Sequence, residues 1–347
     1  MRRSVKAGLI IGGSSIAVVA VISLLIFGKL YLAEKKVGYC FDVAVDSSRL
    51  YVAAGKAGLH VLDVSEGILR HALTYYDRGY YRNLKLSGGR AYVADTERGL
   101  VVLDITQNVP VTIWEQGEVK GKGVHVEGDK AYLAAAQRGL YVFDIVNPDV
   151  LRLAGRFEAL EDAWDVWIYD GFAYVADLDK GLVVIDVSSP QHPRQVGFVA
   201  WSDGDAYAEI VRGEGDVAYV AAAAHGLVVI DIADPANPMV ASVYQSDPDN
   251  WVEGLAVQDS IVYLAIANEH RKSENGLHLI DVHDPYAPSL IGKIHFPDWV
   301  EGVHVAGDYA YVANTFAGVR SLDVRHLDRP SLVDTFNVTD WIVQQLR

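Results

Sequence analysis

From residue 40 onward the chain reads as short apolar runs broken by Gly, Asp, Asn and Pro, and no stretch sustains a helical period over eleven or more residues. The runs recur as one unit: Ala-Tyr-Val-Ala, a short turn, Gly-Leu, two or three apolar residues, then Asp between apolar neighbours. The unit's tyrosines are Tyr51, Tyr92, Tyr132, Tyr174, Tyr219, Tyr263 and Tyr311, spaced 41, 40, 42, 45, 44 and 48 residues apart. Gly58, Gly99, Gly139, Gly181, Gly226, Gly276 and Gly318 follow them, and then Asp63, Asp104, Asp144, Asp186, Asp231, Asp281 and Asp323. A period of that length belongs to a solenoid or a propeller.

Residue types decide between the two. The fourth unit holds four runs with strand character, Asp165–Ile168, Ala173–Asp177, Leu182–Val187 and Gln195–Val199. Leu182-Val183-Val184-Ile185 lacks alternation, as a strand buried on both faces should. Four antiparallel strands per unit make a propeller blade. The expected fold is all-β: a seven-bladed β-propeller of four-stranded antiparallel blades over residues 40–338. Gly181-Leu-Val-Val-Ile-Asp-Val187 and Gly226-Leu-Val-Val-Ile-Asp-Ile232, each followed by Ser/Ala-x-Pro, resemble the LVIVD-repeat β-propellers of bacterial and archaeal surface proteins. That resemblance implies a fold and leaves the ligand open. It is weakest in the last unit, where Arg320 and Ser321 enter the apolar run, and the sixth unit carries an enlarged turn at Asn268–Asn275.

Seven equivalent aspartates do not make a catalytic centre, which requires one asymmetric constellation. Asp at a strand end, with Pro following in Asp186-Val-Ser-Ser-Pro190 and Asp231-Ile-Ala-Asp-Pro235, reads as a cap on the next turn's backbone N–H groups. The repeated Gly supplies positive φ before the third strand. The repeated Tyr reads as core, with its hydroxyl hydrogen-bonded.

The N-terminus differs from the rest. Ala7–Gly28 is uncharged, and its 22 residues span about 33 Å as a helix, enough for a bilayer core. The run is long for a cleaved signal and lacks a small-x-small site, so it is expected to be a transmembrane signal anchor. Arg2, Arg3 and Lys6 would hold residues 1–6 in the cytoplasm, with 29–39 as linker and the propeller periplasmic or extracellular. The net charge is −15, but residues 1–36 hold six Lys and Arg against one Glu, and the remainder holds 24 against 44 acids. So acidic a body disfavours nucleic acid. The lone Cys40 excludes a disulfide framework and a cysteine zinc site.

Strand order sorts the loops. Connections from one blade's last strand to the next blade's first lie at the mouth of the central channel, and several pair aromatic residues with acids. They carry Trp164 and Asp165, Tyr207 and Glu209, Trp251 and Glu253, and Trp299 and Glu301. These eight residues are the candidate ligand-binding set. A partner protein, with Trp and Tyr as anchors, a glycan stacked on Trp, and a Ca²⁺ ion among carboxylates all suit them, although no Asp-x-Asp-x-Asp-Gly loop is present. The alternative is that the tryptophans only pack between blades and the acids are solvated rim. His125 and His304 occupy equivalent inner-strand slots and read as structural. With no His-Glu-x-x-His, Gly-x-Ser-x-Gly or phosphate-cradling loop, the expected function is non-enzymatic binding of an extracytoplasmic protein or glycan. A metal-assisted hydrolase or lyase at the same mouth is the alternative. Residues 339–347 form a tail; Asp340-Trp341-Ile342-Val343 repeats the opening of an inner strand and is expected to latch the ring.

Overall fold

Each repeat folds into one four-stranded antiparallel set in the computed structural model, which describes residues 37–345 apart from 118, 148–149, 203–205 and 269. In the fourth repeat the strands are Ala163–Tyr169, Phe172–Asp177, Gly181–Asp186 and Arg194–Val199, neighbours in sequence order. The inner strands of the seven sets are Val37–Asp46, Tyr81–Ser87, Gly123–Glu127, Ala163–Tyr169, Ile210–Glu214, Trp251–Gln258 and Gly302–Ala306. Each packs beside the next, and the seventh packs beside the first, so the sets close as blades of a ring. The segment 7–28 lies outside the described residues. Among the described residues no helix is long and apolar enough to cross a membrane.

The core lies between blades rather than on the axis. In the third strand of blade four, Val183 and Ile185 pack into the cluster shared with blade three, while Leu182 and Val184 pack into the cluster shared with blade five. A strand that feeds two cores has no polar face, which is why its sequence does not alternate. All seven repeated tyrosines are buried in these layers.

The repeated glycines and aspartates set the turns. Every repeated glycine has positive φ, from +75° to +152°. Each also lies where a Cβ would sit 2.0–2.6 Å from a carbonyl oxygen near the end of the blade's outer strand, such as Phe157 O opposite Gly139. Six of the aspartates accept the backbone N–H two residues on, as Asp186 does from Ser188 at 3.0 Å. Asp63 is the exception: its strand continues into a two-residue hairpin at Glu66 and Gly67, and its carboxylate pairs with Arg49.

Blade one and blade seven each take all four strands from their own repeat, so no shared strand seals the seam. Cys40 N donates to Thr315 O at 3.1 Å and Leu69 N donates to the Asp334 carboxylate at 2.9 Å. Ser321 Oγ donates to Gly67 O. The polar break in the last apolar run therefore has a purpose at closure. The tail corrects one expectation: Val338–Gln345 is a helix, α1, and not an inner-strand opening. Asn337 Oδ1 accepts the Asp340 N–H at 2.7 Å, a helix N-cap that the Trp-Ile-Val similarity does not reveal. Val338 and Ile342 pack on blade one, and Trp341 lies 4.4 Å from His71.

Candidate functional site at the channel mouth

Register identifies equivalent positions at the axis. Ala44, Lys85, His125, Trp167, Arg212, Ala256 and His304 each pair with their blade's repeated tyrosine. Three residues earlier in every blade stand Phe41, Arg82, Lys122, Trp164, Glu209, Glu253 and Glu301, and all seven line one opening. In ring order this mouth has two adjacent cations and three consecutive glutamates, with an aromatic ring at each border. It is not simply acidic.

At the cationic border, the Arg82 guanidinium lies 4.6 Å from the Trp164 ring and 5.6 Å from Phe41, and Lys122 Nζ lies 4.1 Å from Trp164. Trp164 thus already carries two cations of its own chain. On the acidic arc, Glu301 accepts the Tyr39 hydroxyl, whose ring packs 4.7 Å from Phe41 and 4.9 Å from Phe316. Glu209 and Glu253 share a hydrogen bond. Burial, with Glu301 adding to it and Arg82 opposing it, pushes Glu209 up to about 7. Burial and the charges of Glu301 and Glu209 push Glu253 well above the ordinary carboxylate range. Two desolvated carboxylates in contact hold a proton near neutrality.

One residue below the mouth, side chains stitch successive blades. Asp42 accepts from Asn83 Nδ2 at 2.6 Å and Leu84 N at 3.1 Å, and Asn83 Oδ1 accepts from Val124 N at 2.9 Å. Asp165 accepts from Val211 N at 3.2 Å and from Arg212. Blades three, six and seven have glycine at this level. A Cβ on Gly254 would stand 2.1 Å from Glu301 O, so there the blades touch backbone to backbone.

The connections leading into the mouth are pinned from the second strands. Asp177 accepts Glu161 N at 2.9 Å and Asp162 N at 3.2 Å, ahead of Trp164. Asp95 accepts Tyr80 N at 3.0 Å, ahead of Arg82, and is bound by Arg98. Asn268 donates to Asn250 at 2.7 Å ahead of Glu253, and Asn314 donates to Asp298 O at 2.9 Å ahead of Glu301. Sequence reasoning missed these four; their signal is an Asp or Asn two residues after the repeated Tyr-Val, or four after Tyr263-Leu264 in the blade with the enlarged turn.

Of the eight expected site residues, Trp164, Asp165, Glu209, Glu253 and Glu301 line the mouth. Tyr207, Trp251 and Trp299 do not. Tyr207 and Trp251 face each other at 6.0 Å on the rim, where Trp251 is 43% exposed, and Trp299 is half-buried. Phe41, Arg82 and Lys122 complete the ring and were not among the expected residues. The side chains leave about 30 Å³ for the centre of a water-sized group, room for a few heavy atoms and too little for a sugar ring. Among the described residues no three His, Cys, Asp or Glu side chains are disposed to hold a metal ion.

The profile described as LVIVD repeat matches residues 37–67, 78–108, 120–159, 161–200, 206–246 and 299–337, together more than half the chain. Its gap falls on the sixth repeat, the one with the enlarged turn. No curated protein matches the chain. Among solved structures, Saccharomyces cerevisiae Sqt1 is similar with TM-score 0.64 at 13% identity, covering 87% of each chain. The β-propeller domain of Myceliophteria thermophila Cps50 (Swd1) gives 0.62 at 13%, covering 85% of this chain and 96% of that one. The WD40 β-propeller domain of Doa1 gives 0.64 at 11%, covering 84% and 94%. At such identities the likeness establishes the propeller fold alone.

Proposed function

The chain belongs to the LVIVD-repeat family, and on that premise we propose that it is a non-enzymatic binding propeller whose channel mouth receives a basic side chain from a partner protein. In this reading residues 7–28 hold it at a membrane and residues 40–338 stand outside the cytoplasm. The observation that carries the binding reading is the run of Glu209, Glu253 and Glu301 at equivalent positions of consecutive blades, two of them half-buried and hydrogen-bonded to each other through a proton that burial favours. An arriving guanidinium or ammonium replaces that proton and satisfies both carboxylates. Arg82 and Lys122 across the ring orient the visitor, because a second positive charge on the partner is repelled there. Trp251 beside Tyr207 supplies an exposed aromatic anchor on the rim.

A glycan suits this mouth poorly, since Trp164 is engaged by Arg82 and Lys122 and the space enclosed between the side chains is small. Metal-assisted hydrolysis suits it poorly too, because the same two cations repel a divalent ion. The test is titration of the full chain at pH 8 with short peptides differing at one position: Arg, Lys, citrulline or Glu. The Arg and Lys peptides should bind, and Glu209→Gln with Glu253→Gln should weaken them at least tenfold. Equal binding of the citrulline peptide overturns the reading. Protease accessibility in intact cells tests the membrane orientation.

A further inference from the structure

Where the ring closes, two imidazoles lie against the tail helix and repeat in no other blade as a pair. His60, on the third strand of blade one, is fully buried, its ring 6.2 Å from Phe336 of blade seven and 5.3 Å from Trp341 of α1. His71, on the outer strand Ile68–Tyr75, lies 5.3 Å from Phe336 and 4.4 Å from Trp341. One hydroxyl joins them: Thr74 Oγ1 stands 2.9 Å from His60 Nδ1 and 2.9 Å from His71 Nε2. His60 Nε2 is buried and has no hydrogen-bond partner among the described residues.

Counting hydrogens fixes the state of this chain of groups. Two neutral imidazoles and one hydroxyl bring three. Two fill the contacts on either side of Thr74 Oγ1, and the third sits on the remaining nitrogen of His71, where the Leu73 carbonyl favours it. His60 Nε2 is then a bare lone pair. A fourth hydrogen has only that nitrogen left to occupy, as the buried, unpartnered N–H of a cation. The surrounding charges do not help it. Arg49 is paired with Asp63 and Lys56 with Glu97, the Asp334 carboxylate is turned to Leu69 N, Arg70 repels a proton, and α1 carries Asp340 in its first turn. Among the described residues His71 is the one charged group that acts on His60, and it opposes the proton. Burial holds His60 down to about 3 and lowers His71 as well.

We propose that α1 is a proton-released latch, docked across the seam at neutral pH and let go when His60 takes a proton in mildly acidic surroundings. With Trp341 lifted away, the open form accepts the proton that the docked form refuses. Docking is therefore at full strength above the ordinary histidine value near 6.5 and weakens about tenfold for each pH unit below it. The helix also packs on the start of the first strand, where a Cβ on Gly38 would stand 2.9 Å from Thr339 Oγ1. Its release uncovers the strand end that bonds to Thr315 through Cys40.

Amide hydrogen exchange of the full chain reads the helix opening directly. Corrected for intrinsic rates, the protection of Val338–Gln345 should fall about twentyfold from pH 7 to pH 5, a range in which ordinary carboxylates stay charged. The strands of blade four should keep theirs. His60→Leu should hold α1 protected across that range, whereas Asp340→Asn should leave the fall intact. NMR of the His60 ring nitrogens gives a reading that does not depend on either variant: deleting residues 338–347 should raise the pH at which His60 takes its proton by at least one unit. Equal protection of the wild-type helix at both pH values, a fall that persists in His60→Leu or vanishes in Asp340→Asn, or a His60 titration untouched by the deletion overturns the proposal.

Discussion

Two glycines of blade three separate the two roles that a repeated glycine can play. Gly128 has φ +57°, and a Cβ there would meet nothing within 4 Å. Gly139, the repeated one, has φ +83°, and its Cβ would stand 2.0 Å from Phe157 O and 3.0 Å from Phe157 C. Alanine at positive φ costs about 1–2 kcal/mol, partly offset by a less mobile unfolded chain, so Gly128→Ala should lose about 1 kcal/mol or less. Gly139→Ala suffers the same backbone term and must also push the outer strand away by more than an ångström. That movement strains the Leu140–Phe157 pairing and the Gly139 N–H to Ala136 O bond of 3.0 Å. Overpacking of this kind adds about 2–3 kcal/mol. At about 2–4 °C per kcal/mol for a large domain, the thermal midpoint should fall by about 2 °C in the first variant and about 8–10 °C in the second. Circular dichroism melts of both, side by side, measure the difference. Equal losses would refute the claim that close approach to the outer strand, rather than positive φ alone, fixes glycine at this position.

Four further variants test contacts described above. Glu209 is held above its ordinary value, so the folded protein binds more protons than the unfolded chain between pH 4.5 and about 7. The stability this contributes is present below 4.5 and lost as pH rises through about 7, so Glu209→Gln should melt higher than wild type at pH 8 and near it at pH 4. Deleting residues 338–347 uncovers the blade-one surface beneath Val338 and Trp341 and should lower the melting midpoint by about 5 °C or more. Asp186→Ala removes acceptors from Ser188 N, Ser188 Oγ and Arg194, and should cost about 1–2 kcal/mol in urea unfolding. Asp63→Ala, where no turn N–H is capped, should stay within about 0.5 kcal/mol.

The scaffold was legible because its determinants are local and repeated. Tyr, Gly and Asp recur at fixed offsets, and the four expected strands of blade four differ from those observed by two residues or fewer at each end. The mouth was half legible. Glu209, Glu253 and Glu301 follow from counting into each connection, but Arg82 and Lys122 belong to the same ring only through strand register, which a search for aromatic and acidic clusters does not weigh. That search also favoured Trp251 and Trp299 for their chemistry, when register places them two residues before the glutamates and off the axis. The tail misled for a related reason: Asp298-Trp299-Val300 leads up to a strand that begins at Gly302, whereas Asp340-Trp341-Ile342 lies within a helix, and the Asn337 cap decides.

A repeat protein states its function where its repeats disagree. Across the seven blades the core positions vary mostly among apolar residues, with His60, His278 and Ser321 as the polar departures, because each must fit between neighbours of the same shape. At the mouth, the equivalent position is Phe, Arg, Lys, Trp, Glu, Glu and Glu, a set with no common packing role. Packing alone would not sort these residues by charge around the axis, with cations contiguous, acids contiguous and an aromatic ring at each border. The two arcs offset each other, as Arg82 does for Glu209 and Glu253, and on the proposed function the same order serves something that sits on the axis and senses opposite sides differently. A symmetric ion at the mouth would gain nothing from it. A ligand with its own direction, such as a side chain carried in on a folded partner, gains both a charge to meet and one orientation in which to meet it.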